Sequence, residues 1–120
     1  MELLHGVDLE QINRFEERIQ KETFMKRIYM QQERSYIEKN PHPILTAAGM
    51  WASKEAVSKA FGRGLFGMLP AEIEIIHLPS GQPAVVLHGN AAETYGEYKI
   101  SLSISHSGDM VLASCIAYKE

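Results

Sequence analysis

Cysteine is nearly absent. Cys115 is the only one in 120 residues, which excludes an intrachain disulfide and a cysteine-rich zinc site as sources of stability. Long apolar runs are missing too. None approaches the ~18 residues that a membrane span needs, and the opening MELLHGVDLEQ lacks the basic flank and extended apolar stretch of a signal peptide. A soluble, cytoplasmic protein is expected. Neither sign of charge dominates: 12 Lys+Arg stand against 15 Asp+Glu, a net charge of -3, so there is no whole-molecule attraction to nucleic acid. No internal repeat, low-complexity tract or Pro/Ser/Gly linker marks a boundary. What is present is an ordinary globular balance of 45% hydrophobic and 22% charged residues, in a length close to the commonest domain size. One domain over residues 1-120 is expected.

The basic residues are unevenly placed. Arg14, Arg18, Lys21, Lys26, Arg27 and Arg34 are half of the 12 and lie in one short N-terminal stretch, which allows a local patch for an acidic partner. In the same region residues 2 to 7 form a short apolar run ending at Asp8, after which Leu9, Ile12, Phe15 and Ile19 recur at helical spacing. A strand leading into an amphipathic helix is expected, with Asp8 and Gln11 as a capping box. A second helical stretch covers 23 to 38, with Thr23 as cap and Phe24, Ile28, Tyr36 and Ile37 facing inward.

Asn40-Pro41-His42-Pro43 breaks any helix. From Ile44 to Phe61 the chain is rich in alanine, and Leu45, Ala48, Ala52, Ala56 and Ala60 form a small-residue stripe that stops at Gly62-Arg63-Gly64. This predicts a central helix that other backbone can approach closely. Beyond Pro70 the character is strand-like. EIEIIHL and AVVLH flank a Ser80-Gly81 turn, residues 90 to 97 suit a short helix, and ISLSISH and MVLASCIAY flank Ser107-Gly108-Asp109. The class is α+β: an antiparallel sheet packed with a long central helix and N-terminal helices, the first strand joining the later sheet.

Three segments carry ionisable residues that a plain core element does not need. On the central helix Glu55, Ser58, Lys59 and Gly62 fall at i, i+3, i+4 and i+7 and share a face. Magnesium is usually held by one or two carboxylates with substrate phosphate and water, and lysine is a common phosphate partner. Glu55 and Lys59 therefore suit a metal-plus-phosphate pair if a second carboxylate reaches them. The same spacing also describes a solvated ion pair, which stabilises a helix by ~0.2 to 0.5 kcal/mol. Asp8 reads equally as a helix cap and His106 as a turn residue. Trp51 reads as core or interface packing, and Cys115 as buried in an apolar strand rather than a nucleophile. Ser103, Ser105 and His106 lack the serine elbow of a hydrolase, and His5, His42, His77 and His88 show no metal-ligand spacing.

Together the segments resemble the holo-acyl-carrier-protein synthases, the small stand-alone 4'-phosphopantetheinyl transferases. Gly6-Val7-Asp8 continuing to Arg14 is similar to that family's G-x-D-x-x-x-x-x-R opening. Trp51 to Ala60 is similar to its W/F-x-x-K-E-A-x-x-K-A helix, and Ser103 to His106 to its S-x-S-H strand end. Phe61-Gly62-Arg63-Gly64 and Gly81-Gln82-Pro83 follow in the expected order.

The resemblance implies a magnesium-dependent transfer of the phosphopantetheine arm of coenzyme A to a serine of an apo acyl carrier protein, with release of 3',5'-ADP. It makes Asp8 and Glu55 the Mg²⁺ ligands and, with Lys59, the catalytic group. Ser58, Lys59, Gly62, His106 and Ser107 would contact coenzyme A. Arg14, Arg18, Lys21, Phe24 and Arg27 would receive the acidic helix of the carrier. It also implies a homotrimer with sites between subunits. One departure stands out: Met50 precedes Trp51 where members of this family often carry arginine, which implies weaker coenzyme A binding or a substitute such as Arg63. A non-catalytic carrier-protein or coenzyme A binding module is the alternative reading, and a Mg²⁺-dependent pyrophosphate hydrolase a further one.

Overall fold

The period-two alternation of the C-terminal third decides which side of its sheet is buried. The structure is a computed structural model that describes residues 1-120, the side chain of Phe66 excepted. Strands β4 (Lys99–Ser107) and β5 (Met110–Lys119) form a hairpin through Gly108, whose φ of 58° is the left-handed value that favours glycine in a two-residue turn. Strand β1 (Glu2–Gln11) pairs antiparallel along the other edge of β5, giving the order β1-β5-β4. The inner face of β5 presents Val111, Ala113, Cys115 and Ala117, all fully buried.

The helix α4 (Pro43–Ala60) covers that face, lying along β5 and β1. Its alanines, as expected, permit backbone contact. A Cβ on Gly6 would sit 2.1 Å from the Ala56 carbonyl oxygen and 2.4 Å from the Ala60 nitrogen. The glycine two residues before Asp8 is thus what lets β1 press against the C-terminal half of α4.

The N-terminal region departs from expectation. Asp8 is not a helix cap, because β1 runs through it to Gln11 and pairs it with Ala113. Only then does the chain turn, through a 3-10 turn (Ile12–Arg14) into the single-turn helix α1 (Phe15–Arg18). The stretch from 23 to 38 is two helices, α2 (Glu22–Ile28) and α3 (Gln31–Lys39), with Thr23 inside the first turn of α2 rather than capping it. The break at Tyr29–Met30 is held by one tertiary bond and one local capping bond. The Tyr29 hydroxyl donates to the Ala47 carbonyl at 2.7 Å, and Glu33 accepts the Met30 amide at 2.8 Å. Ile28 and Ile37 face the core, whereas Tyr36 is exposed and stacks on His77 with ring centroids 4.2 Å apart.

After α4 come the short helix α5 (Gly64–Gly67) and a 3-10 turn (Pro70–Glu72). A separate hairpin of β2 (Ile73–His77) and β3 (Pro83–Leu87) follows, then α6 (Gly89–Tyr95). One buried ion pair ties this part to the rest. Lys54 Nζ donates to Glu33 Oε1 at 2.8 Å and to the carbonyls of Pro70 and Ile73 at 2.8 and 2.6 Å, while Glu33 Oε2 accepts the Ile75 amide at 2.8 Å. All three ammonium protons and both carboxylate oxygens are used, the condition under which a buried pair is tolerated.

Candidate active site

Asp8 and Lys59, distant in sequence, meet because β1 lies on the C-terminal half of α4. Lys59 Nζ is 2.8 Å from Asp8 Oδ1; the lysine is about half exposed and the aspartate nearly buried. Asp8 Oδ2 is buried without a hydrogen-bond partner, an unusual state for a carboxylate oxygen. Glu55, one turn before Lys59, is half-buried, and its carboxyl is held above the usual range by burial and then by the Asp8 charge, with Lys59 opposing.

A third carboxylate joins them that the reading of the sequence passed over. Glu10, two residues beyond Asp8 on β1, is pushed up to about 7, first by burial and then by the neighbouring Asp8, against the pull of the Trp51 indole. Two carboxylates can hydrogen-bond only with a proton between them, so the raised value reports crowding of negative charge. Asp8, Glu10 and Glu55 thus face one ammonium, that of Lys59, itself raised chiefly by its bond to Asp8. A period-two reading of Asp8-Leu9-Glu10 would have found this group, since only a strand puts both acids on one face.

The remaining expected residues are distributed around this cluster. Ser58 is fully buried and its hydroxyl donates to the Glu55 carbonyl at 2.9 Å. Gly62, with φ of 70°, has open space where a Cβ would point. Arg14 and Lys21 are exposed, while the Arg18 guanidinium lies 4.8 Å from the Phe15 ring centroid and 5.8 Å from those of Phe24 and Trp51. Arg27 and Glu55 both line a largely apolar cavity of about 500 Å³ with Ile28, Trp51, Leu65 and Leu69. The basic stretch and the acidic cluster therefore share one side of the molecule. Cys115 is buried, and desolvation pushes its thiol up to about 12, far from a working nucleophile.

His106 and Ser107, both exposed at the end of β4, stand elsewhere. His106 lines a cavity of about 220 Å³ with Tyr36, Met50, His77 and Pro83. Met50 and Lys59 are nine residues apart, two and a half turns at 3.6 residues per turn, and so lie on opposite faces of α4. Within one chain the helix separates this cavity from Asp8 and Lys59.

Among the described residues no group of three or more His, Cys, Asp or Glu is arranged to hold a metal ion by itself. Two carboxylates with an unpartnered oxygen and an excess of negative charge do fit Mg²⁺, which relies on substrate phosphate and water for its remaining ligands. No helix is long and apolar enough to cross a membrane.

A family model described as the 4'-phosphopantetheinyl transferase superfamily matches residues 5–115. The chain is 45% identical to a holo-acyl-carrier-protein synthase of Clostridium kluyveri, over 92% of this chain and 86% of the relative. It is 38% identical to one of Caldanaerobacter subterraneus, over 98% and 95%. Its fold superposes with a TM-score of 0.82 on a holo-acyl-carrier-protein synthase from Bacillus anthracis in complex with CoA (3',5'-ADP), at 29% identity and covering 98% of this chain and 96% of that one. Whole-length matches of this kind establish that the chain belongs to the holo-acyl-carrier-protein synthase family of the 4'-phosphopantetheinyl transferase superfamily.

Proposed function

We propose that this chain transfers the 4'-phosphopantetheine arm of coenzyme A to a serine of an apo acyl carrier protein, releasing 3',5'-ADP, as a single domain acting in the cytoplasm. The observation that carries the reading is the divided state of Asp8: one oxygen on Lys59 at 2.8 Å, the other buried and unpartnered beside Glu55. Asp8 and Glu55 would hold Mg²⁺, whose contribution when bound is to neutralise the pyrophosphate. Lys59 keeps donors free for a phosphate oxygen beyond its bond to Asp8. The displacement at phosphorus needs no covalent enzyme nucleophile, because positioning and charge neutralisation supply most of the rate. The serine proton passes to the carboxylate cluster. These groups also favour catalysis over a module that merely binds carrier or coenzyme A, since binding alone does not require crowded, partly buried acids.

The enzyme acts as a homotrimer with its sites between subunits. Two features support this. The outer face of the β1-β5-β4 sheet exposes Leu3, Val7, Leu9, Leu112 and Ile116, an apolar face of the kind that subunit association covers. The His106 cavity, which we assign with Ser107 to coenzyme A, lies across α4 from Asp8 and Lys59, so a neighbouring copy completes the site. Gly62 flanks the nucleotide as open backbone, whereas Ser58, expected to contact it, is fully buried and instead fixes the Glu55 carbonyl. The carrier's acidic helix docks on Arg14, Arg18, Lys21 and Arg27 around Phe24, with charges steering and the aromatic group anchoring. Incubation with apo carrier, coenzyme A and Mg²⁺, followed by mass spectrometry, tests the whole: the phosphopantetheine adduct on serine is expected, and its absence on every carrier tried contradicts the reading.

A further inference from the structure

One guanidinium sits over a cluster of aromatic rings. Between ring centroids, Phe15 lies 6.3 Å from Phe24 and 6.2 Å from Trp51, and Phe24 lies 5.9 Å from Trp51 and 6.2 Å from Tyr29. Arg18 roofs these rings, with its Cζ 4.8 Å from the Phe15 centroid and 5.8 Å from those of Phe24 and Trp51. Attraction to ring faces fixes the group without consuming its N–H donors. Among the described residues no carboxylate pairs with it, since the ion pairs of the chain involve only lysines and one histidine. Arg34, by contrast, gives a donor to the Tyr29 carbonyl at 2.6 Å. Burial also sets Arg18 apart from its basic neighbours. It is half-buried, whereas Arg14, Lys21 and Arg27 are exposed. Exposed charges steer an encounter and are screened by salt, while a packed arginine that has already lost its side-chain freedom is the kind of residue on which interface energy concentrates.

Resting on the transferase reading above, we propose that Arg18 is the specificity-determining contact for the carrier: held on Phe15, Phe24 and Trp51, its guanidinium takes one carboxylate of the carrier's acidic helix in a two-pronged pair. Carriers are then selected by whether they present an acid at that point. The aromatic cluster anchors the carrier through this arginine rather than as an open apolar socket. A carrier that offered an apolar side chain there would strip water from the guanidinium and leave it unpaired. Lysine is no substitute, because an ammonium is a point charge without the planar fork that matches a carboxylate. The seat also adjoins the reaction. Trp51 lines the cavity of about 500 Å³ that Glu55 lines, so the contact that selects the carrier and a carboxylate of the acidic cluster share one wall.

The test uses an apo acyl carrier protein that accepts the adduct, and measures both transfer kinetics and, by calorimetry without coenzyme A, carrier affinity for Arg18→Lys, Arg18→Met and Arg14→Gln at low and high salt. Urea unfolding accompanies each variant, methionine keeping apolar contact with the rings. Arg18→Lys and Arg18→Met should each weaken carrier binding about tenfold or more, the worth of a charge-assisted hydrogen bond, with the loss in KM rather than kcat. The loss should persist at high salt, because a partly buried pair is screened little, whereas that of Arg14→Gln should shrink. With the enzyme unmodified, replacing the carrier's helix acids one at a time by their amides should find one whose loss costs as much, and which costs Arg18→Met nothing further. Carrier affinity retained by Arg18→Lys, a salt dependence matching that of Arg14→Gln, or no carrier acid coupled to Arg18 would each overturn the inference and leave the transferase reading standing. Absence of an adduct on every carrier tried would overturn that reading and the inference with it.

Discussion

Lys54 and Glu33 form a completely buried ion pair at 2.8 Å, one residue along the helix from Glu55. Burial lowers the lysine, with Glu33 opposing. Consecutive residues of one motif thus divide between architecture and chemistry: Lys54 points into the core to hold α3 and β2, and Glu55 faces the cavity. Lys54→Met leaves the Glu33 carboxylate buried without its partner, and the expected loss is about 3 to 5 kcal/mol in urea unfolding. Lys59→Met should abolish most transfer and also lower the urea midpoint, because it leaves the nearly buried Asp8 without its hydrogen-bond partner.

Gly6 makes a second, steric prediction. Alanine there would bring a Cβ against backbone of Ala56 and Ala60 at 2.1 and 2.4 Å, and neither backbone can rotate away. Overpacking of this kind costs about 1 to 3 kcal/mol or more, and the relief available is separation of β1 from α4, which also moves Asp8 away from Lys59. Gly6→Ala should lower both the unfolding midpoint and kcat. A variant that matched the unmodified protein in both would contradict the packing described.

Much of this was legible in the sequence, and the exceptions have physical causes. The alanine stripe of α4 and the alternation of β4 and β5 gave their elements correctly, because one periodicity fitted each segment. Around Asp8 two periodicities compete. Leu9, Ile12 and Phe15 sit at helical spacing, yet pairing with β5 from Glu2 to Gln11 wins, since ten residues of ladder on a buried sheet outweigh a short cap. Reading a helix there turned Glu10 about 200° from Asp8 and hid the third carboxylate. The break between α2 and α3 carries no proline or glycine; its distant partner is the Ala47 carbonyl, which spacing along one segment does not reveal, while the local signal, Glu33 three residues after Met30 as in a capping box, is passed over when the stretch is read as one helix.

Glu10 also sets a pH dependence. Its folded-state value of about 7 lies above the ordinary 4.5, so between these values the folded chain binds more proton than the unfolded one, and stability falls as pH rises through the window. Without Mg²⁺, the unmodified protein should lose more melting temperature from pH 5 to pH 7.5 than Glu10→Gln does. Equal slopes for the two proteins would remove Glu10 from the cluster.

Reversal of exposed basic charge should act on the carrier alone. Arg14→Glu and Lys21→Glu are expected to raise the carrier KM at low salt, with the effect shrinking as salt approaches physiological strength, and to leave the coenzyme A KM unchanged. Arg18→Glu should in addition cost stability, because that guanidinium packs against Phe15, Phe24 and Trp51.

The most direct measurement is transfer by Glu55→Gln at saturating Mg²⁺, with circular dichroism confirming the fold. Loss of the phosphopantetheine adduct with an unchanged spectrum is the predicted result, since the amide keeps the shape and removes one of the two charges that would hold the cation. Adduct formation at an undiminished rate would contradict the assignment of Asp8 and Glu55 as the pair on which the reaction depends.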